Sequence, residues 1–174
     1  MNAELRREYI LAELNQQNKP ISASALASML GVSRQIIVGD VALLRAQGQN
    51  IVATARGYIV ADLNSANQYL GKVASQHSPE DTSDELYTIV DLNAVIINVI
   101  VEHEVYGEIT GGLNLASRSD VYAFMSKVKS SKVKLLSELT MGVHLHTIAC
   151  RDKTHFEEVY QELKSKGYLF QDGC

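Results

Sequence analysis

A chain of 174 residues with 46% hydrophobic content and a formal net charge of −4 has room for one medium domain or two small ones. Its longest apolar run, Ala94 to Val101, is too short for a membrane span and is interrupted by Asn98, and residues 1–20 lack the basic start and apolar core of a signal peptide. Two cysteines, Cys150 and Cys174, make neither a disulfide framework nor a CxxC pair, so a cytoplasmic location is expected and a membrane partner is not.

Residues 2–17 read as a helix with Ile10, Leu11 and Leu14 inward, broken by Asn18-Lys19-Pro20. Ser22 then caps a short helix carrying Leu26, Met29 and Leu30 at i, i+3, i+4 spacing. Gly31 supplies a left-handed turn residue and Ser33 caps a third helix, Arg34 to about Gln47, with Ile37, Val41 and Leu44 inward. Two short strands, Ile51–Thr54 and Gly57–Val60, follow around Ala55-Arg56-Gly57. Helix, helix, tight turn, helix and β-wing in this order make a winged helix-turn-helix, whose third helix enters the major groove N-terminus first. Ser33, Arg34 and Gln35 stand at its tip, Arg34 suited to guanine or phosphate and Gln35 to adenine. Arg56, at the wing tip, suits a phosphate or the minor groove. A helical domain that contacts protein rather than DNA is the plainer alternative.

The charge agrees weakly with DNA. Residues 1–62 hold six basic and five acidic side chains, against ten and fifteen in the remainder. Gly39 disagrees, because glycine inside a helix costs about 1 kcal/mol relative to alanine.

Residues 61–67 are polar and small and read as a linker, which divides the chain into domains at 1–62 and 63–174. Beyond it, the predicted order is a strand from Tyr69 to His77, a helix from Thr82 to about Leu92, a core strand Ala94–Val101 and a hairpin partner from Val105. A helix opened by Ser117-Arg118-Ser119-Asp120, an ambiguous stretch from Lys132 to Met141, a strand Val143–Cys150, a helix from Thr154 and a final short strand Tyr168–Phe170 complete it. The fold class is therefore α+β: the winged helix-turn-helix, then an antiparallel sheet with helices on one face and a split βαβ core.

All five histidines lie in the second domain. His144 and His146 alternate onto one strand face, about 7 Å apart by strand rise, and His77 with Glu85 completes a His3Glu set suited to zinc or nickel. The competing readings are a solvated strand face for the pair and a Thr82-x-x-Glu85 capping box, and spacing alone leaves metal and coincidence equally open. His103, among Glu102 and Glu104, could hold an effector or a carboxylate; His155, at a helix start, is expected to be exposed; Cys150 reads as a small buried hydrophobe.

Several stretches together resemble the niacin-responsive transcriptional repressors of NAD biosynthesis, a winged helix-turn-helix joined to a domain named for three histidines. They are Val32-Ser33-Arg34-Gln35, Arg56-Gly57-Tyr58-Ile59, Glu85-Leu86-Tyr87-Thr88-Ile89-Val90-Asp91, Val101-Glu102-His103, Val105-Tyr106-Gly107-Glu108, Ser117-Arg118-Ser119-Asp120-Val121 and Gly142-Val143-His144-Leu145-His146-Thr147. The resemblance implies a cytoplasmic homodimer, operator DNA, a nicotinic acid co-repressor and a divalent metal held by His77, Glu85, His144 and His146. Met141 and Asn93 stand where the family pattern has glycine, and Gly39 where it has a polar residue.

On this reading nicotinate docks beside or onto the metal, with Arg118 for its carboxylate and Tyr106 or Tyr87 against its ring. Occupancy then selects one spacing of the DNA-reading helices. Two rivals remain: a metal-dependent enzyme using Glu102 or Glu104 as base, and a repressor for which the ion itself is the signal.

Overall fold

The computed structural model describes residues 2–61 and 68–171, which form two compact units, one on each side of residues 62–67. The predicted linker, apart from Ala61, and Cys174 lie outside the described residues.

In the first unit, α1 (Ala3–Gln16), α2 (Ala23–Leu30) and α3 (Arg34–Ala46) precede the two-stranded wing of β1 (Ile51–Thr54) and β2 (Gly57–Val60). Each helix starts where a side chain can satisfy an orphan amide: Asn2 accepts from Leu5 N, Ser22 from Ala25 N and Ser33 from Ile36 N. Gly31, at φ 65°, closes α2 in the left-handed region, and the chain bends by 107° into α3, within the range of a DNA-binding helix pair. Ile10, Leu14, Leu26, Ile37, Val41, Leu44 and Ile51 make the core.

Met29 is 51% exposed, against expectation; Ala23, Leu26 and Ala27 form the buried stripe instead. An eight-residue helix offers two overlapping i, i+3, i+4 stripes, and packing chose the one through the alanines. The wing is fastened to the helices by paired backbone bonds between Ile21 and Tyr58, of 2.9 and 2.8 Å. That approach requires Gly57, since a Cβ there would sit 2.4 Å from the Ile21 backbone.

The second unit runs β3 (Tyr69–Gln76), α4 (Thr82–Asp91), β4 (Val95–His103), β5 (Gly107–Leu115), α5 (Arg118–Ser131), β6 (Val143–Cys150) and α6 (Lys153–Ser165). Its sheet has the order β3-β6-β4-β5 with every neighbouring pair antiparallel. The last strand thus lies between β3 and β4, the split βαβ core expected from the element order. Along β3, Gly71, Val73 and Ser75 are buried and their neighbours exposed, so the helices cover one face.

Three local expectations change. The ambiguous 132–141 stretch contains a 3-10 turn, Leu136–Thr140. The final strand shrinks to one bridge, Ser75 to Leu169, because only Gln76 N to Tyr168 O and Phe170 N to Ala74 O hold it on the β3 edge. His155 is buried rather than exposed: its Nε2–H donates to Leu92 O at 2.6 Å and its Nδ1 accepts from Arg151 N at 3.1 Å. No single helix among the described residues is long and apolar enough to cross a membrane.

Candidate functional site

Strand alternation puts His144 and His146 on the helix-covered face of β6, opposite Ser75 and Val73 of β3. His77, one residue past β3, and Glu85, in the first turn of α4, close on them from above. The fully buried Glu85 carboxylate accepts all three rings: His77 Nε2 at 2.7 Å on Oε2, and His144 Nε2 at 3.1 Å and His146 Nε2 at 2.7 Å on Oε1. Ligand atoms of His77, Glu85 and His144 lie within 4.8 Å of one another. His146 joins them through Glu85 Oε1 but lies outside that 4.8 Å group, so the four predicted residues meet around one carboxylate.

The opposite side of each ring is also occupied. Nδ1–H donates to a backbone carbonyl in every case: His77 to Ser78 at 2.8 Å, His144 to Gly142 at 2.8 Å and His146 to Asn98 at 2.9 Å. Backbone irregularities accompany two of those acceptors, Asn98 and Gly142. A bulge between Ile96 and Asn98 in β4 precedes Asn98, whose carbonyl accepts from His146 and whose side chain accepts from Thr147 N at 3.2 Å. Gly142, at φ 89°, aims its carbonyl at His144, and a Cβ there would meet His77 O at 2.4 Å.

This pattern tests the site for a metal. A ring whose two nitrogens both face acceptors must carry two protons, and three imidazolium ions around one buried carboxylate would leave two positive charges uncompensated. With Nδ1–H committed to a carbonyl, Nε2 of a neutral ring presents a lone pair inward, the arrangement of carbonyl-oriented metal ligands. One divalent cation in place of three protons lowers the buried charge and suits three nitrogen donors and one oxygen. The residues fit a zinc- or nickel-type ion.

The electrostatics agree in direction. Burial alone pushes the Glu85 carboxyl up, but the charge of His146 and hydrogen bonds from all three rings outweigh it and hold it well below the usual carboxylate range. Burial pushes His77 and His146 down, and contact with Glu85 reverses this, so both bind a proton more tightly than a free imidazole.

The capping box is not formed. Asp81, after a 3-10 turn at Pro79–Asp81, occupies the cap position of α4 without a side-chain bond, and Glu85 is spent on the histidines. Thr82 Oγ1, one helical turn before Glu85, and Ser75 Oγ, beside His144, are both buried without a partner among the described residues.

Around the ligands stands a set of residues that sequence reasoning missed. The Tyr168 ring packs edge-on to His77 at 5.4 Å, and its hydroxyl donates to Asp84 at 2.5 Å, which holds the Asp84 carboxyl low and pushes the phenol up. A cavity of about 370 Å³ opens beside His77, lined by Ser78, Lys134, Ser137, Glu138, Met141 and Gly142 among others. No periodic signal marks Lys134, because the segment carrying it is irregular. Asn98 was visible as a polar interruption of an apolar run.

The four effector candidates occupy other places. His103 Nδ1 accepts from Val105 N and Tyr106 N at 3.1 and 3.3 Å, bracing the β4–β5 hairpin with the Tyr106 ring 5.2 Å away. Arg118 pairs with Asp91 at 2.5 Å and lies 4.3 Å above the Tyr87 ring. None of the four lines the cavity beside His77. In the first unit, Arg34 and Gln35 are exposed at the start of α3, Ser33 uses its hydroxyl as the cap, and Arg56 is half-buried on the wing.

Comparison with known proteins agrees with both units. Residues 71–172 match the 3H domain and residues 6–59 match an HTH domain. The chain is 43% identical over 168 residues to the probable transcription repressor NiaR of Thermotoga maritima, covering 97% of this chain and 95% of that protein. It is 36% identical over 169 residues to the transcription repressor NadR of Bacillus subtilis, covering 96% and 94%. These relatives are repressors, which removes the enzyme reading.

Proposed function

The chain belongs to the family of transcription repressors that join an HTH domain to a 3H domain, and from that premise we propose that it is niacin-responsive, using nicotinic acid as co-repressor at a metal-containing pocket to control genes of niacin uptake or NAD biosynthesis. It acts in the cytoplasm as a homodimer whose two α3 helices read operator half-sites about one DNA turn apart. His77, Glu85, His144 and His146 hold a zinc- or nickel-type ion. Bound there, the ion supplies a Lewis-acidic position for the lone pair of a pyridine nitrogen.

The observation that carries this reading is the juxtaposition at His77. A ring committed to the buried cluster also lines a cavity of about 370 Å³, within the size range of small-molecule sites. Lys134 in that lining offers a cation for the nicotinate carboxylate, a better-placed partner than Arg118, whose guanidinium is engaged by Asp91 and Tyr87. Ligand binding couples to DNA only if it favours one arrangement of the dimer over the other.

A gel-shift titration of the full chain tests this, on a duplex enriched from a random library. Its four arms are chelator, metal alone, nicotinate with chelator, and metal with nicotinate. Tight binding should require metal and nicotinate together, and Lys134→Gln should remove the nicotinate response while leaving metal content at one per chain. Full affinity with metal alone would make the ion the signal. Affinity indifferent to nicotinate in every arm would overturn the co-repressor.

A further inference from the structure

The outward face of α3 is nearly uncharged. Between Arg34 and Arg45 the helix holds one ionisable side chain, Asp40, and that one is turned inward, 4% exposed. There it accepts Arg6 Nε at 2.6 Å on one oxygen and lies 3.6 Å from Arg7 Nη1 on the other, so its negative charge is both removed from the outer face and matched by cations. Outside lie Gln35, Gly39, Ala42 and Ala46, flanked by Ile36 and Leu43, which are 42% and 52% exposed. Gly39 has nothing within 4 Å of where its Cβ would be, so no contact inside this unit requires its lack of a side chain.

Ile36 and Leu43, seven residues apart, lie on one side of α3 and offer it two aliphatic surfaces that a partner could cover. The partner is specified by the unit itself. The residues match an HTH domain, α2 and α3 meet at 107°, and the wing is fastened beside them, so this face of α3 is the one that meets the major groove. Within that groove the one apolar feature on a base edge is the C5-methyl of thymine.

We infer that Ile36 and Leu43 determine operator specificity by packing against thymine methyls, with Gly39 between them letting the helix backbone sit close to the base edges. The inference rests on the DNA-binding reading and adds which bases are recognised and by which chemistry. Seven residues at 1.5 Å rise separate the two contacts by about 10 Å, or roughly three base steps of 3.4 Å. Gln35, one turn before Gly39, is placed for an adenine in the same half-site. Sequence choice then depends on methyl groups and shape, with Arg34 as the basic side chain at the helix tip.

The experiment uses the full chain and the duplex enriched from a random library. Each thymine is replaced singly by deoxyuridine, which deletes the methyl and leaves every hydrogen-bonding group in place. Two positions per half-site, about three base pairs apart, should each lose about fourfold in affinity, the worth of one buried carbon. Ile36→Ala should abolish the thymine–uracil difference at one position and Leu43→Ala at the other, each leaving the second position sensitive. Circular dichroism of both variants, together with retained binding at the unaffected position, separates this result from misfolding. Ile36→Val should keep part of the effect. An enriched duplex indifferent to all thymine replacements, or sensitivity untouched by either variant, overturns the inference alone. Enrichment of no duplex at all would overturn the DNA reading with it.

Discussion

Among the described residues each unit buries one carboxylate, and the two are neutralised in opposite ways. Asp40 in the first unit meets Arg6 and Arg7, cations that never lose their charge at biological pH. Glu85 in the second meets His77, His144 and His146, which are cationic only while protonated. The first arrangement is a permanent strut between α1 and α3. The second is a place where the compensating charge can be changed, by proton loss from the rings or, on the proposed reading, by a metal ion.

Breaking either carboxylate separates the two roles most directly. Glu85→Gln should lower metal affinity more than a hundredfold, read by elemental analysis after dialysis, since it removes the one anionic ligand. Asp40→Ala should lower the urea midpoint of the first unit, because Arg6 and Arg7 lose a nearly buried partner, and metal content should not change. Equal metal loss in both variants would break the contrast.

The pH dependence sharpens it. In chelated protein His77 and His146 bind protons more tightly folded than unfolded. Their contribution is therefore complete below the ordinary histidine value and is lost as pH rises through the raised folded values. Glu85, held low, contributes above the ordinary carboxylate value and loses this as pH falls through its depressed one. Metal-loaded protein should show the reverse slope near neutrality, because protons compete with the ion for the rings. Melting curves from pH 6 to 8, with and without chelator, should run in opposite directions, while Glu85→Gln flattens both.

The smallest effects concern backbone. Met141 holds φ 53° and is 90% exposed, so Met141→Gly should stabilise by about 1 kcal/mol, measured as a urea midpoint shift. Gly39→Ala should add a similar increment to the first unit, since its Cβ enters open space. If α3 approaches the bases as closely as inferred above, the same change weakens operator binding.

Met141, together with Asn93, also shows what was legible beforehand. Met141 and Asn93 stood out as departures from glycine, and both occupy left-handed backbone, at φ 53° and 63°. Asparagine tolerates that region and methionine is strained there. The helix-turn-helix was readable because its caps, turn glycine and wing are local signals. The four-ligand cluster was readable in part, as an HxH on one strand with candidates at 77 and 85, but the three carbonyls that orient the rings were not. The Asn98 carbonyl lies beside a bulge, and the Gly142 carbonyl belongs to a glycine whose role appears only when β3 lies beside it. The cavity beside His77 was not legible, because its lysine sits on an irregular segment with no period to read.

The position of β6 has a consequence for assembly. His144 and His146 reach Glu85 across separations of 59 and 61 residues, and they do so only once the late strand has inserted between two earlier ones. A ribosome-bound chain that has emerged only through β5 holds His77 and Glu85 but no ring from β6. If the proposed ion is held there, its high-affinity capture must wait until β6 has been synthesised and inserted, and loading follows formation of the sheet rather than seeding it.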